Sequence, residues 1–436
     1  MHSSPTSDID VTVIGCGIAG MAACIHLRDA GLKVLCIEPQ AADNDPVGES
    51  LDWSAPALLA ALGLPMEALL RDGVATYKRH VILRLGDGSE QHYVPGEWLG
   101  KPPYNVNLST MHVDRTRLNQ ALRQRVIDKG VLLLQDKVVN VETAGRRIVA
   151  ITTAAGERIS SPWFLDASGS HSSLLPRLFG SPVYEYGPNK VAMWEYFAVT
   201  KSIEGTTLHT NSWGAPYMEW VWQIPIHPDA VSVGYVCPGE EVKEKRRQGM
   251  SVAEIFRARV AHLPGLEALQ SLNGGRSPRT TSFRCRVFQR ITGPNWLAIG
   301  EAAAMVDPMT SNGVTAATRH AAEASKLIIR NYKRRSLPYL PAALYRLRVI
   351  SLARFFNSAI EKVLYEQPIR NRIGAFRAGD VYTIPAWSIN VVYSKLQPQG
   401  VVKTLFFAGL VTALRLGVHA FYTFCRWQQP TERLAA

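Results

Sequence analysis

Residues 9–20 read IDVTVIGCGIAG, and this stretch decides the fold. Val11, Thr12, Val13 and Ile14 make a β-branched run, which favours an extended strand. The run meets Gly15-x-Gly17-x-x-Gly20. Gly15 permits a tight turn, Gly17 lets the backbone approach a pyrophosphate, and Gly20 lets a helix pack close to the strand. The helical pattern MAACIHLRDAG follows, then a second strand, KVLCIEP. Phosphates sit at the N-terminus of such a helix, where free N–H groups and the dipole attract anions. Glu38 closes the second strand, 18 residues after Gly20. A carboxylate there accepts hydrogen bonds from an adenosine ribose. The spacing predicts an α/β chain with a Rossmann-type dinucleotide-binding domain.

Three later segments choose the cofactor. HVDRTRLNQALRQRV (112–126) predicts a helix carrying Arg115. WFLDASGSHS (163–172) predicts a strand running into Asp166. NWLAIGEAAAMVDPMTSNGVTAATRHA (295–321) predicts a strand, an acid at Glu301, a turn at Pro308 and a helix opening at Gly313. A nicotinamide cofactor needs no second set of contacts so far along the chain. FAD is longer, and its ribityl chain and ring are held by elements distant from the first βαβ unit. FAD is therefore the expected cofactor.

In these segments the chain resembles FAD oxygenases of the glutathione-reductase and aromatic-hydroxylase fold, a group that includes flavin-dependent halogenases and prenyl reductases. Its GEAAAMVDP is similar to their GDA…DP segment. The resemblance implies that Glu301 holds the ribityl chain. It also implies that the amides of Ser311, Asn312, Gly313 and Val314, just past Pro308, face the flavin pyrimidine edge and stabilise the reduced, anionic ring. VGESLDWSAPALLAALGL (47–64) is similar to the family's GE segment, which puts Glu49 and Ser50 against the flavin.

YMEWVWQIPI (217–226) opens a predicted β-hairpin with a His-Pro-Asp turn. Trp220 and Trp222 are two residues apart and share one face. Flavin-dependent halogenases carry W-x-W-x-I-P, matched by Trp220, Trp222, Ile224 and Pro225. In that family the motif separates the oxygen-activating chamber from the substrate chamber. Lys78 stands 63 residues beyond Gly15, where the family has its active-site lysine. One departure concerns Thr310, which occupies the place of the glutamate base of tryptophan halogenases. The expected reaction is therefore FAD-dependent monooxygenation. A flavin C4a-hydroperoxide would hydroxylate an electron-rich aromatic inside a chamber walled by Trp194, Tyr196, Trp213, Trp220 and Trp222. The preferred substrate is a tryptophan side chain in a peptide or protein, because the pattern is similar to flavoproteins of tryptophylquinone cofactor maturation. The alternative is halogenation of a phenol, pyrrole or indole. A prenyl reductase and a non-catalytic assembly factor rank below these. Without a second GxGxxG, either a separate flavin reductase or transient NAD(P)H binding would reduce the flavin.

The 436 residues carry a formal charge of +12. Between Lys326 and Arg377 lie 12 Lys or Arg against two carboxylates. Such a face suits an acidic protein or an anionic membrane; no nucleic-acid motif accompanies it. The six cysteines show no metal-ligand spacing, so no metal is expected. Free thiols in a reducing, cytoplasmic setting are expected. The N-terminus shows no secretory signal pattern. Residues 401–424 are apolar but interrupted by Lys403, Arg415 and His419. An amphipathic or buried helix is expected there and not a span, with peripheral membrane contact left open. The FAD-binding domain is assigned to 8–75, 110–175 and 280–325, an inserted antiparallel substrate-binding sheet to 76–109 and 176–280, and a helical C-terminal region to 326–436.

Overall fold

The structure is a computed structural model, and it describes residues 9–39, 47–97, 99–102, 105, 108–199, 205–261, 263, 270–272 and 276–428. Among the described residues, Val11–Ile14 is the middle strand of a five-stranded parallel sheet. The order is Trp296–Ala298, Trp163–Asp166, Val11–Ile14, Val34–Glu38, Leu132–Gln135. Val11–Ile14 and Trp163–Asp166 are buried along their whole length, as parallel strands covered on both faces must be. The helices Ile18–Asp29 and Gly313–Asn331 pack on one another beside this sheet. Gly15 adopts φ +99°, and a Cβ on Gly20 would lie 1.9 Å from the Gly15 carbonyl oxygen. Both glycines are thus required for the turn and the close helix approach. A small antiparallel sheet of Val138–Ala144, Arg147–Thr153 and Arg158–Ile159 follows Leu132–Gln135 in the chain.

A second sheet of nine strands is built around the long strand Val183–Ala198. That strand pairs on either side with Arg279–Phe288 and Ala230–Pro238. Trp220–His227 and Ala230–Pro238 form the predicted hairpin, with Trp220 opposite Val236 and Trp222 opposite Gly234. A Cβ on Gly234 would lie 2.1 Å from the Trp222 ring. Only glycine leaves room for that indole. The sheet is not wholly antiparallel as expected: Thr206–Thr210 pairs in parallel with Val81–Leu85. The two strands come from separate chain segments that meet edge to edge, and no hairpin fixes their relative direction.

The C-terminal region contains the helices Tyr339–Ile360, Gln367–Ile373, Ala375–Leu396 and Val401–Trp427. A π-helical stretch, Glu361–Tyr365, interrupts the first two. Phe355, Phe356, Leu364, Tyr365 and Tyr382 join Trp194, Trp220 and Trp222 in one buried cluster. The helices of 326–436 therefore share one core with the nine-stranded sheet. Their apolar side chains complete the core beneath the tryptophan strand. All six cysteines are free and buried.

Candidate active site

Two cavities meet at the tryptophan strand. The larger, about 360 Å³, is lined by Gly17, Glu49, Ser50, Arg115, Glu301, Pro308, Ser311, Gly313 and Val314, and walled by Trp220 and Trp222. The smaller, about 70 Å³, is lined by Asp52, Trp53, Lys78, Trp220, Thr310 and Asn312, with Tyr382, Trp387 and Asn390 from the C-terminal helices. Leu208, Trp220, Met309 and Ser311 line both and form the partition.

The larger cavity has the donors and the shape for FAD. Added Cβ atoms on Gly17 and Gly313 would meet nothing within 4 Å. Both glycines thus open onto free space at the start of a helix. Ser311 takes a left-handed backbone (φ +54°) just before the Gly313–Asn331 helix, which turns that helix N-terminus towards the cavity. Arg115 is half-buried; its Nη1 donates to the carbonyls of Val47 (2.6 Å) and Gly48 (3.1 Å). Its Nε has no partner among the described residues, and such an orphan donor fits an acceptor on a bound cofactor. Burial lowers its pKa, while Glu49 and Glu301 oppose the shift. Glu49 accepts from Tyr196 Oη (3.2 Å) and Ser232 Oγ (3.3 Å). Ser232 in turn accepts from Trp222 Nε1 at 3.1 Å. Burial raises the pKa of Glu49 against these bonds and Arg115. Glu301 accepts from Ser170 at 3.0 Å at the cavity rim.

Some expected contacts lie elsewhere. Asp166 is corrected from cofactor ligand to loop organiser. Its fully buried carboxylate accepts from Ser168 N (3.0 Å), Ser168 Oγ (2.6 Å) and Leu175 N (2.7 Å), which fixes the turn after its strand. Asn312 faces the smaller cavity and accepts from Asn390 Nδ2 at 3.3 Å. Glu38 ends its strand as expected but lies outside the cavity lining, paired with Arg123 at 3.0 Å. Gly15 and Gly20 pack and do not line the cavity.

The partition is held by charge. Trp220 Nε1 donates to Tyr365 Oη at 2.8 Å, and Tyr365 donates to Asp307 Oδ1 at 3.1 Å. Asp307 also accepts from Met309 N (3.0 Å) and pairs with Lys190 (3.1 Å), which reaches Glu361 at 3.3 Å. The π-helical stretch aims both Glu361 and Tyr365 at this cluster, a use typical of such irregularities. The sequence reading missed the cluster because its two carboxylates, Asp307 and Glu361, lie 117 and 171 residues from Lys190.

Lys78 is buried in the smaller cavity, where Nζ donates to the Leu51 carbonyl at 2.8 Å and lies 4.9 Å over the Trp53 ring. Burial pushes its pKa down to about 7, against the pull of Asp52. Asp52 is also buried. Its Oδ1 accepts from Ser54 N at 2.6 Å, while Oδ2 has no partner among the described residues. Burial raises its pKa, with Arg319 opposing. Sequence alone does not single out this acid, because its two-residue offset from Ser50 carries no signal of its own.

A 25% identical relative is the 1H-pyrrole-2-carbonyl-[peptidyl-carrier protein] brominase of Pseudoalteromonas luteoviolacea, matched over 73% of this chain and 77% of that protein. The tryptophan 2-halogenase of Chondromyces crocatus is 27% identical, over 71% of this chain and 58% of its own longer length. Among solved structures, the flavin-dependent brominase Bmp2 superposes with a TM-score of 0.74 at 19% identity, over 95% of this chain and 98% of that one. That likeness speaks for the fold. The lycopene cyclase family matches residues 10–183, the nucleotide-binding portion. The tryptophan halogenase family matches residues 100–335, more than half of the chain. With the FAD cradle and the tryptophan partition, this chain is an FAD-dependent oxidoreductase that belongs to the tryptophan halogenase family.

Proposed function

We propose that the protein halogenates a single electron-rich ring, a pyrrole or a phenol. The observation that carries this reading is the placement of Lys78, a buried amine on the far side of Trp220 from the FAD cavity. An oxygen-transferring hydroxylase needs its substrate against the flavin. Here the chamber with room for a ring is walled off, so a small oxidant must cross to it. The free volume of about 70 Å³ leaves room for no more than one small ring. FAD, reduced and in the presence of oxygen and halide, supplies hypohalous acid.

The chain's own residues do the rest. Trp220 and Trp222 keep bulky aromatics and water away from the cofactor cavity. Lys78, as its ammonium, donates a hydrogen bond to the hypohalous oxygen. The ring carbon forms its bond to halogen as the oxygen–halogen bond breaks. Lys78 gives its proton to the departing hydroxide, which leaves as water. The proton on the same ring carbon goes to Asp52, which returns it to Lys78. Asp52 thus supplies the base that Thr310 cannot, and it lines the same cavity as Lys78. A pKa of about 7 lets Lys78 both give and regain a proton near neutrality.

The test uses the holoenzyme, a flavin reductase, bromide, and a panel of pyrroles and phenols, with products read by mass spectrometry. A bromine isotope pattern that disappears in Lys78→Met, while that variant still binds FAD, is expected. A product heavier by one oxygen and free of halogen would overturn the reading in favour of aromatic hydroxylation, including that of a peptidyl tryptophan.

A further inference from the structure

We infer that the Val401–Trp427 helix seats this enzyme on the surface of an anionic lipid bilayer, lying in its plane. The helix is long and apolar enough to cross a membrane by length and composition, yet one side of it is already taken. Phe407, Val411 and Cys425 are buried against the neighbouring helices. The opposite side is where a soluble helix turns polar, and here it does not. Val402, Leu405, Phe406, Leu416, Phe424 and Trp427 are all exposed, Val402 at 80%, Phe406 at 62% and Trp427 at 82%. At 3.6 residues per turn they fall within an arc of roughly 100°. Gly409, Ala413 and Ala420 fill the same arc, so the apolar stripe is continuous for about 40 Å. Lys403 flanks it on one side, His419 and Arg426 on the other.

Charge selects the partner. Residues 326–436 hold 17 of the 48 Lys and Arg but 4 of the 36 carboxylates, so the chain's entire excess of +12 lies in this region. Lys403 and Arg426 border the stripe itself, and basic groups from adjacent helices gather on the inner side of the helix. Lys362 Nζ lies 5.3 Å over the Tyr422 ring, and the charge of Arg372 reaches Cys425. A second copy would bring two such positive faces together, which repel. An anionic bilayer neutralises them and takes up the apolar stripe at once.

The test is co-sedimentation of the full-length holoprotein with vesicles. One set is phosphatidylcholine alone; the other contains phosphatidylglycerol as well. The wild type is expected to pellet with the anionic vesicles and to be released by high salt in part. Phe406→Glu and Leu405→Glu should each weaken partition on the order of tenfold. Lys403→Glu combined with Arg426→Glu should abolish the preference for anionic lipid. FAD absorbance of each variant checks the fold. No binding to either vesicle overturns the proposal. So does a stripe-dependent dimer, or stripe-dependent capture of an acidic carrier protein, in the absence of lipid affinity.

Discussion

In the proposed halogenation Lys78 and Asp52 divide the acid and base work of the small cavity, and their environments set its pH dependence. Lys78 must enter as ammonium, so halogenation should fall as pH rises through about 7. Asp52 must enter ionised, and burial raises its pKa, so the acid limb should lie above the ordinary carboxylate range. Asp52→Asn is expected to slow ring halogenation on the order of 100-fold and to remove the acid limb. Formation of hypohalous acid, read with a small soluble trap, should persist. Loss of both signals would instead place Asp52 in the cofactor site. The amine also weakens the fold. The unfolded chain holds its Lys78 proton up to the ordinary lysine value of 10.5, the folded chain only to about 7. The loss of stability is therefore complete below about 7 and fades as pH rises towards 10.5. Lys78→Met should raise the unfolding temperature at pH 6 and do so less, or not at all, at pH 10. A flat difference between the two would show that the amine is not driven neutral by burial.

At the scale of elements, the hairpin and the π-helical stretch act as one clamp on the partition. Lys190 sits between Asp307 and Glu361, all three buried, their side chains 1%, 0% and 7% exposed. Burial alone would lower the lysine's pKa, but the two carboxylates outweigh it and raise it well above its usual value. Lys190→Met leaves two buried carboxylates without their counter-ion and should cost about 3–5 kcal/mol, seen as a fall of several degrees in thermal unfolding. Because Asp307 also holds Met309 N, the same variant should bind FAD more weakly, measured by flavin fluorescence. Gly234→Ala should displace Trp222 and broaden the cofactor cavity, since its Cβ would overlap the indole. Much of this geometry was legible beforehand where chemistry is local. Gly15, Gly17 and Gly20 are read within one turn, and the alternation of Trp220 and Trp222 within one strand. The clamp was not legible, because Lys190, Asp307, Glu361 and Tyr365 acquire meaning only when a long strand, a turn and an irregular helix meet. Asp166 misled for the complementary reason: its place beside the cofactor strand is right, but backbone amides consume its oxygens.

At the scale of the molecule, the question is why the C-terminal helices exist. Nothing in their sequence announces a site, and their basic surface drew the eye to docking. Their inner faces nevertheless close the small cavity. Trp387 packs on Trp53 with centroids 4.4 Å apart and meets Tyr93 edge-on at 6.3 Å. Trp53 in turn carries the Lys78 ammonium over its face. The nucleotide-binding segments thus line the larger cavity, the C-terminal helices close the smaller one, proposed to hold the substrate, and Trp220 belongs to both. Such a division predicts separable failures. Trp387→Ala removes one wall of the substrate cavity and an aromatic pair worth about 1 kcal/mol beyond its burial. It should raise KM for the ring on the order of tenfold, with FAD affinity and halide-dependent oxygen consumption unchanged. Isothermal titration with FAD and steady-state kinetics with a brominated pyrrole product read the two quantities independently. If FAD affinity falls in step with KM, the two cavities are one site, and the relay through Trp220 to Lys78 loses its physical basis.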